Sequence, residues 1–376
     1  MILHIIMLNE RNSYNLFHQM YEYLDMKDHV FLVADFKSNL KNFPKFEEFE
    51  NFEYMDAPSR LLRIKKLYDH CKKADHIILN SLIYKSKKYL LFFYIFRKFL
   101  KKATWIEWGA DLYNYKIEDN KPKSRFINHI NKVIRQSVQN VGLTFEGDEF
   151  KYREEFPEAK PNFFFTPLPF GDNRVDLMEE AMAKAAQKPE ESLHVQVCHN
   201  SLQVNNHYWI LMALSKFIGE DMNITLPLSY GTFGIGGQYG GVAYLNAVKA
   251  FARNMFPKRT NIIEKNMPIE KYIEYLATVD IAVMGCERPI ALANIYYLLY
   301  MGKKVFLPEN SAHYKFFKEM GYNVFPLEDI DKMSWEEFSY LPEAPTPERL
   351  KDKFTVGKEI FYWQKLFDAV SPSADD

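Results

Sequence analysis

Leu193–His207 reads LHVQVCHNSLQVNNH. A β-rich run ends at Cys198, a polar turn follows, and a helix opens near residue 204. Strands follow near Ile224–Leu228, Asn261–Ile263, Ile281–Met284 and Lys304–Leu307, with helices near 204–217, 241–255, 268–278, 290–301 and 312–320. Moving towards the N-terminus, the same alternation is already present. Leu3–Leu8, Val30–Ala34, His76–Leu79, Ala103–Trp108 and Val141–Phe145 read as strands, and 14–26, 58–73, 85–101 and 123–139 as helices. Strands that are apolar on both faces and alternate with helices imply parallel sheets covered on both sides. Between the two series, Phe163–Phe170 (FFFTPLPF) carries two prolines and closes the first. The expected organisation is therefore an α/β domain over 1–170, a polar linker or bridging helix over 171–191, and a second α/β domain over 192–352. A helix over 353–370 packs back on the first domain, and 371–376 is a tail.

Composition narrows the function. The 376 residues are 47% hydrophobic and 26% charged, which is globular rather than disordered composition. Forty-eight Lys and Arg against 49 Asp and Glu leave a net charge of -1, without the basic excess of a general nucleic-acid binder. Cys71, Cys198 and Cys286 are far apart and form no CxxC pair, so a reducing compartment is expected. The opening MILHIIMLNERN reads as a first strand rather than a signal peptide. No stretch reaches the length of about 18 apolar residues that a membrane span needs.

Open parallel sheets bind ligands at the carboxyl ends of their strands. The second domain offers four polar junctions there. The turn 197–207 presents amides at a helix start, with Asn205 and His207 as side-chain donors; an Asn-capped polar turn reads equally well. The next junction is ITLPLSY, ending at Tyr230, followed by GTFGIGGQYGG. This stretch puts six of the 15 glycines into residues 231–241; it is either a ligand-covering loop or a surface loop. GCERPIALAN (285–294) supplies Arg288, a guanidinium able to neutralise a diphosphate, and ends at Asn294. LPENSAHY (307–314) supplies Glu309 for ribose or base, with Asn310 beside it. Surface salt bridges and helix caps are the competing readings of the last two junctions.

In the first domain TWIEWGADLYNY (104–115) puts Trp108 and Asp111 at a strand end. Asp111 is the candidate general base for an acceptor hydroxyl, with Glu107, Glu146 and Asp148 as competitors. Residues 84–102, YKSKKYLLFFYIFRKFLKK, hold seven cations and no acid. Basic ends around an aromatic waist suit a membrane interface through Lys87, Lys88, Phe92, Phe93, Arg97, Lys98, Lys101 and Lys102; a buried crossover helix with snorkelling lysines fits too. There is no HExxH, P-loop or GxSxG pattern, and the Asp329-Ile330-Asp331 triplet reads as a solvated turn.

WGADLY at 108–113, Asn205-x-His207, the P-[LM]-x-Y pattern at Pro227–Tyr230 and Glu309-Asn310 resemble the TDP-N-acetylfucosamine:lipid II N-acetylfucosaminyltransferase family of enterobacterial common antigen synthesis, collinearly over about 100–320. The resemblance implies a GT-B glycosyltransferase with two Rossmann-like domains whose parallel sheets face a cleft, typically working without metal or other cofactor. It implies a nucleotide-sugar donor, dTDP- or UDP-linked, such as a 4-acetamido-4,6-dideoxyhexose, held by Asn205, His207, Tyr230, Arg288, Asn294, Glu309 and Asn310. The acceptor would be a polyprenyl-diphosphate-linked glycan of bacterial surface polysaccharide synthesis, near Trp108, Tyr113, Glu146 and Asp148 with Asp111 catalytic. The expected location is cytoplasmic, at the inner face of the membrane. Three departures touch the donor side: VCHNSL stands where the family has VGNSGD, Ala291 and Ala293 replace glycines, and the 231–241 loop is longer. A nucleotide-sugar epimerase on the same scaffold and a non-catalytic glycan-assembly protein are the rival functions.

Overall fold

The computed structural model describes residues 1–6, 11–33, 49–55, 58–82, 87–119, 121–169, 174–187, 192–231, 241–343, 348–351, 353 and 355–371. The chain divides into two compact units, Met1–Pro169 with Val356–Asp376, and Phe170–Thr355.

The first unit is a seven-stranded parallel sheet built from β1 (Ile2–Ile6), β2 (His29–Val33), β3 (Phe52–Tyr54), β4 (His76–Asn80), β5 (Ala103–Glu107), β6 (Asn140–Leu143) and β7 (Asn162–Phe165). The spatial order is β3-β2-β1-β4-β5-β6-β7, so the order reverses between β1 and β4. The connecting helices are α1 (Arg11–Tyr23), α2 (Arg60–Lys73), α3 (Lys87–Ile95), α4 (Ala110–Tyr113), α5 (Pro122–Ser137) and α6 (Asp148–Glu155). Strand periodicity sorts the core into two layers. Leu3, Ile5, Ile77, Leu79 and Trp105 pack on one face, with Phe92 and Phe93 of α3 and Ile130 and Ile134 of α5. Ile2, Ile6, Ile78 and Ile106 pack on the other, with Leu16, Phe17 and Met20 of α1. Two strands of this sheet escaped the sequence reading. β3 is three residues long, too short for a period to show. β7 is the first half of the FFFTPLPF stretch; the prolines end it at Phe165, because they cannot donate to a ladder.

The second unit holds α7 (Arg174–Ala185), β8 (Leu193–Val197), α8 (His207–Leu214), β9 (Met222–Pro227), α9 (Val242–Met255), β10 (Thr260–Ile263), α10 (Ile269–Ala277) and β11 (Ile281–Val283). It continues through α11 (Leu292–Tyr300), β12 (Lys304–Leu307), α12 (Ala312–Glu319), β13 (Val324–Pro326), α13 (Trp335–Ser339) and α14 (Glu348–Lys351). Its six parallel strands run β10-β9-β8-β11-β12-β13, with the reversal between β8 and β11. The stretch 171–191, expected as a linker or bridging helix, contains α7. That helix buries Met178 and Ala181 and joins α10 through Lys184 and Glu274, 3.2 Å apart. Lys304 is buried in β12, and its ammonium donates to the carbonyls of Glu337 (2.8 Å), Phe338 (2.9 Å) and Tyr340 (3.0 Å). Burial pulls its pKa down to about 8.

The last helix, α15 (Val356–Val370), returns to the first unit. It sets Trp363, Leu366 and Phe367 into the α1 face of that sheet. Trp363 Nε1 donates to the carbonyl of Pro167 at 3.1 Å, and Gln19 of α1 donates to Glu359 at 2.7 Å. Among the described residues no helix is long and apolar enough to cross a membrane.

Candidate functional site

The carboxyl edge of the second sheet is built at its reversal point, the place where open α/β sheets take ligands. Cys198 leaves β8 with φ +58°, in the left-handed region, and its N–H donates to Val283 of β11 at 2.9 Å. The turn behind it is organised by Asn200. Its Oδ1 accepts from Leu202 N–H (2.8 Å) and from Asn205 Nδ2 (2.6 Å), and its carbonyl accepts from Asn205 Nδ2 again (3.1 Å). Ser201 ties this turn to the junction after β9, donating through both N–H and Oγ to the Tyr230 carbonyl, each at 2.8 Å. Asn206, left-handed at φ +57°, begins α8 and donates to the Gly285 carbonyl at 2.9 Å. Gly285 itself is required by close approach: a Cβ there would lie 2.2 Å from the Asn205 carbonyl. The turns after β8, β9 and β11 are thus one interlocked structure.

The predicted donor residues take different places in it. Asn205 is buried, and its amide is used up inside the turn, so it shapes the backbone and its side chain is not presented to a ligand. His207 is buried at the first position of α8, with Nδ1 3.0 Å from the Tyr244 hydroxyl. Burial lowers its pKa to about 4, offset in part by the Asn200 carbonyl, so it is neutral at physiological pH. Its neighbour His199 is lowered to about 3 by burial and then by His207. Tyr230 has an exposed ring at the edge. Arg288 is half-buried on the turn after β11, and Asn294 sits in α11, where its Oδ1 accepts from the Tyr272 hydroxyl. Tyr272 also lies close enough to Tyr230 and Tyr297 to interact electrostatically; burial, then these two phenols, raises its pKa. Glu309 and Asn310 are exposed just beyond β12, ahead of the Ser311 cap of α12. Helices α8, α11 and α12 all begin at this edge with no acidic residue in the first turn, so their partial positive ends are not neutralised from within. Of the 231–241 glycine stretch, 232–240 lie outside the described residues; Gly231 and Gly241 have φ +95° and +120°.

In the first unit the strand end at Trp108 turns through Gly109, at φ +74°. Asp111 proves to be the anchor of this turn. Its carboxylate is fully buried; one oxygen accepts from Trp108 N–H (2.8 Å), the other from Leu82 N–H and Trp105 Nε1 (2.8 Å each). Three donors engage both oxygens of this buried carboxylate, so the structure uses Asp111 to anchor the turn, where the sequence reading has it as general base. Arg135 of α5, unforeseen from sequence, completes the frame. It donates to the Asp111 carbonyl (3.0 Å) and lies over the rings of Trp105 (5.2 Å) and Tyr115 (4.8 Å).

The titrating chemistry lies beside it. Glu107 is buried and accepts from Gly109 N–H (2.7 Å) and from Thr144 N–H (3.2 Å) and Oγ1 (3.3 Å). Burial, reinforced by the charges of Asp148 and Asp111, holds its pKa well above the usual carboxylate range, and it shares a hydrogen bond with Asp148. Asp148 opens α6 and accepts from the Tyr113 hydroxyl at 2.6 Å. Glu146 and Trp108 are half-buried nearby in sequence, and the Trp108 indole N–H has no partner among the described residues. At the reversal point of this sheet Asn80, paired with Ile6, is buried, and its side-chain amide atoms have no hydrogen-bond partner among the described residues. Lone asparagines carry no sequence signal of this kind.

The basic-aromatic segment is divided. Phe92 and Phe93 are buried in the core, which corrects their assignment to a membrane contact; the exposed apolar side chains of α3 are Leu91 and Ile95. Arg97, Lys98 and Lys101 are exposed. Lys98 donates to the Tyr68 hydroxyl (3.2 Å), and Lys102 reaches the Ala74 carbonyl. Lys87 and Lys88 begin α3, and their side chains lie outside the described residues. Among the described residues no group of three His, Cys, Asp or Glu side chains is placed to hold a metal ion.

Residues 85–334 match the family described as 4-alpha-L-fucosyltransferase, glycosyl transferase group 56. No curated protein sequence matches the chain. Among solved structures, a glycosyltransferase from Rickettsia africae is similar at 13% identity and TM-score 0.62, covering 98% of both chains. Anabaena HepE, crystallised with UDP and glucose, is 12% identical with TM-score 0.60 over 99% of each chain. A UDP-forming trehalose-phosphate synthase from Burkholderia xenovorans is 10% identical with TM-score 0.57 over 98% of each. These likenesses give the fold, GT-B with two parallel α/β units.

Proposed function

This chain belongs to glycosyl transferase group 56, and from that premise we propose that it moves a fucose-type sugar from a nucleoside diphosphate to a lipid-linked glycan at a membrane surface. That it is a nucleotide-sugar glycosyltransferase follows from the family and the fold; the sugar and the acceptor are our reading. The observation that carries it is the interlocked carboxyl edge of the second unit, where three helices start without acids in their first turns and where the turn after β11 carries Arg288.

In this reading the diphosphate lies on the amides of those helix starts and on the Arg288 guanidinium. The charge that develops on the leaving phosphate is met by donors already fixed in place by Asn200, Ser201 and Asn206. Tyr230 and Tyr272 line the sugar or base, and Glu309 and Asn310 take ribose hydroxyls. Neutral His207 donates or accepts a hydrogen bond without changing charge. On the first unit the acceptor hydroxyl meets the Tyr113–Asp148 pair, backed by protonated Glu107, while Asp111 and Arg135 hold the turn. The bond formed is from acceptor oxygen to the anomeric carbon; the bond broken is from that carbon to the phosphate oxygen, and the hydroxyl proton leaves to Asp148.

HepE was solved with UDP, so UDP, GDP and dTDP are the nucleotides to titrate. Calorimetry should give one site per chain, and Arg288→Ala should weaken it by tenfold or more, as expected for a lost charge-assisted contact. Unchanged affinity in that variant would remove Arg288 from the diphosphate site.

A further inference from the structure

The first half of α2 is an exposed surface that neither the sequence reading nor the family match assigns. Its opening residues, Arg60, Leu61, Leu62, Arg63, Ile64 and Lys65, are all exposed, and Leu61 is 79% accessible. Only the later turns are seated, through Leu67 and Cys71. Single exposed leucines are ordinary, but three large aliphatic side chains within one helical turn, interleaved with three cations, are not. The nearest turns of α2 touch the α3 region: Tyr68 packs on Phe96 and Phe99 with ring centroids 5.0 and 5.4 Å apart. That region adds exposed Leu91 and Ile95 and the exposed cations Arg97, Lys98 and Lys101. No acid occurs from 87 to 102, and α2 contains one, Asp69. Glu53, which also faces α2, pairs with Lys66 (3.0 Å) and His70 (3.3 Å), below the exposed turn.

We propose that Leu61, Leu62 and Ile64 enter the interface of an anionic lipid bilayer while Arg60, Arg63 and Lys65 take its headgroups. Charge complementarity selects this occupant: a cationic rim around aliphatic side chains matches an acidic headgroup layer over acyl chains. Placement supports it. In a parallel sheet every connecting helix starts at the carboxyl edge, so this tip lies at the same end of the first unit as Asp111, Tyr113 and Asp148. A lipid-linked acceptor is thereby brought to the edge that handles it. The purpose of the surface rests on the acceptor proposed above; its existence does not.

The test is co-sedimentation of the full chain with vesicles of phosphatidylcholine alone, or with about one-third phosphatidylglycerol, in the absence of donor and acceptor. Binding to the acidic vesicles only, weakened by salt, is expected. Arg60→Gln, Arg63→Gln and Lys65→Gln should each lower partitioning by about fivefold. Leu61→Ser with Leu62→Ser and Ile64→Ser should lower it by roughly tenfold or more while leaving the salt dependence in place. These residues are exposed, so thermal melting and nucleotide titration of the variants should match the parent. Equal binding of the serine variant, or equal binding to neutral vesicles, overturns the assignment. So does a parent chain that ignores vesicles but self-associates through Leu61 in the ultracentrifuge, which would make the patch an interface between copies. Loss of nucleotide binding by the parent chain would instead strike at the glycosyltransfer reading alone.

Discussion

Glu107→Gln separates a protonated carboxyl from an ionised one. A buried acid whose native pKa lies above its unfolded value keeps its proton in the native state and loses it on unfolding. Across that interval the unfolded state binds fewer protons, so native stability falls as pH rises. The contribution is intact below the unfolded value of about 4.3 and is lost progressively up to the raised native value. The slope approaches about 1.4 kcal/mol per pH unit wherever the folded chain keeps the proton and the unfolded chain has lost it. Glutamine cannot ionise and so has no such slope. Its amide replaces the proton facing Asp148, and its oxygen keeps one set of donors. The other set, the Gly109 N–H or the Thr144 pair, loses its acceptor, a cost of about 1–2 kcal/mol at every pH. The stability advantage of the parent over the variant should therefore shrink as pH rises from about 4.3 towards the raised native value. Scanning calorimetry of both proteins over rising pH reads that change. A stability difference that does not change with pH would mean that Glu107 is ionised in the folded chain, and the shared-proton account would fail.

Asp111→Asn leaves at least one of three buried donors unmet and should cost about 2–4 kcal/mol in denaturant unfolding; unaltered stability would contradict its anchoring role. Gly285→Ala forces a methyl to 2.2 Å from the Asn205 carbonyl. The turns after β8 and β11 must then part, and nucleotide affinity should drop by about tenfold or more in calorimetry, with the first unit's melting unaffected. Lys304→Met strands the carbonyls of Glu337, Phe338 and Tyr340 and should destabilise the second unit by about 2–4 kcal/mol. For parent Lys304, whose pKa is lowered to about 8, stability should rise with pH from 8 towards 10.4, since only the unfolded chain holds that proton there; the methionine variant should lack this rise.

The sheets were legible because their central strands are continuous apolar runs that only a doubly covered position explains. Three of the four edge strands were not: β3 has three residues, β13, also three, ends in Pro326, and β7 runs into prolines. The carboxyl-edge turns were also legible, because polar stretches interrupt the apolar rhythm there. Individual roles within them were not. Asp111 and Asn205 look like ligand-facing groups until their partners are known, and those partners (Leu82 N–H, Trp105, Asn200) sit on other turns or at distances no spacing rule reports. Arg135 reads as a surface residue of an amphipathic helix, yet its guanidinium is buried over the rings of Trp105 and Tyr115. Phe92 and Phe93 misled for a related reason: an apolar waist between lysines is the same string whether it faces lipid or a neighbouring helix.

The helix that closes the first sheet is encoded after the entire second unit. On the ribosome, Ile78 and Ile106 are synthesised early, when α1, among the described helices of this face, is the one already made. Trp363, Leu366 and Phe367 arrive only when the intervening 186 residues, Phe170–Thr355, have emerged. The nascent protein must therefore keep one greasy sheet face from sticking elsewhere for seconds, at an elongation rate of about 5–20 residues per second. A circular permutant beginning at Val356 would supply that helix first and remove the interval.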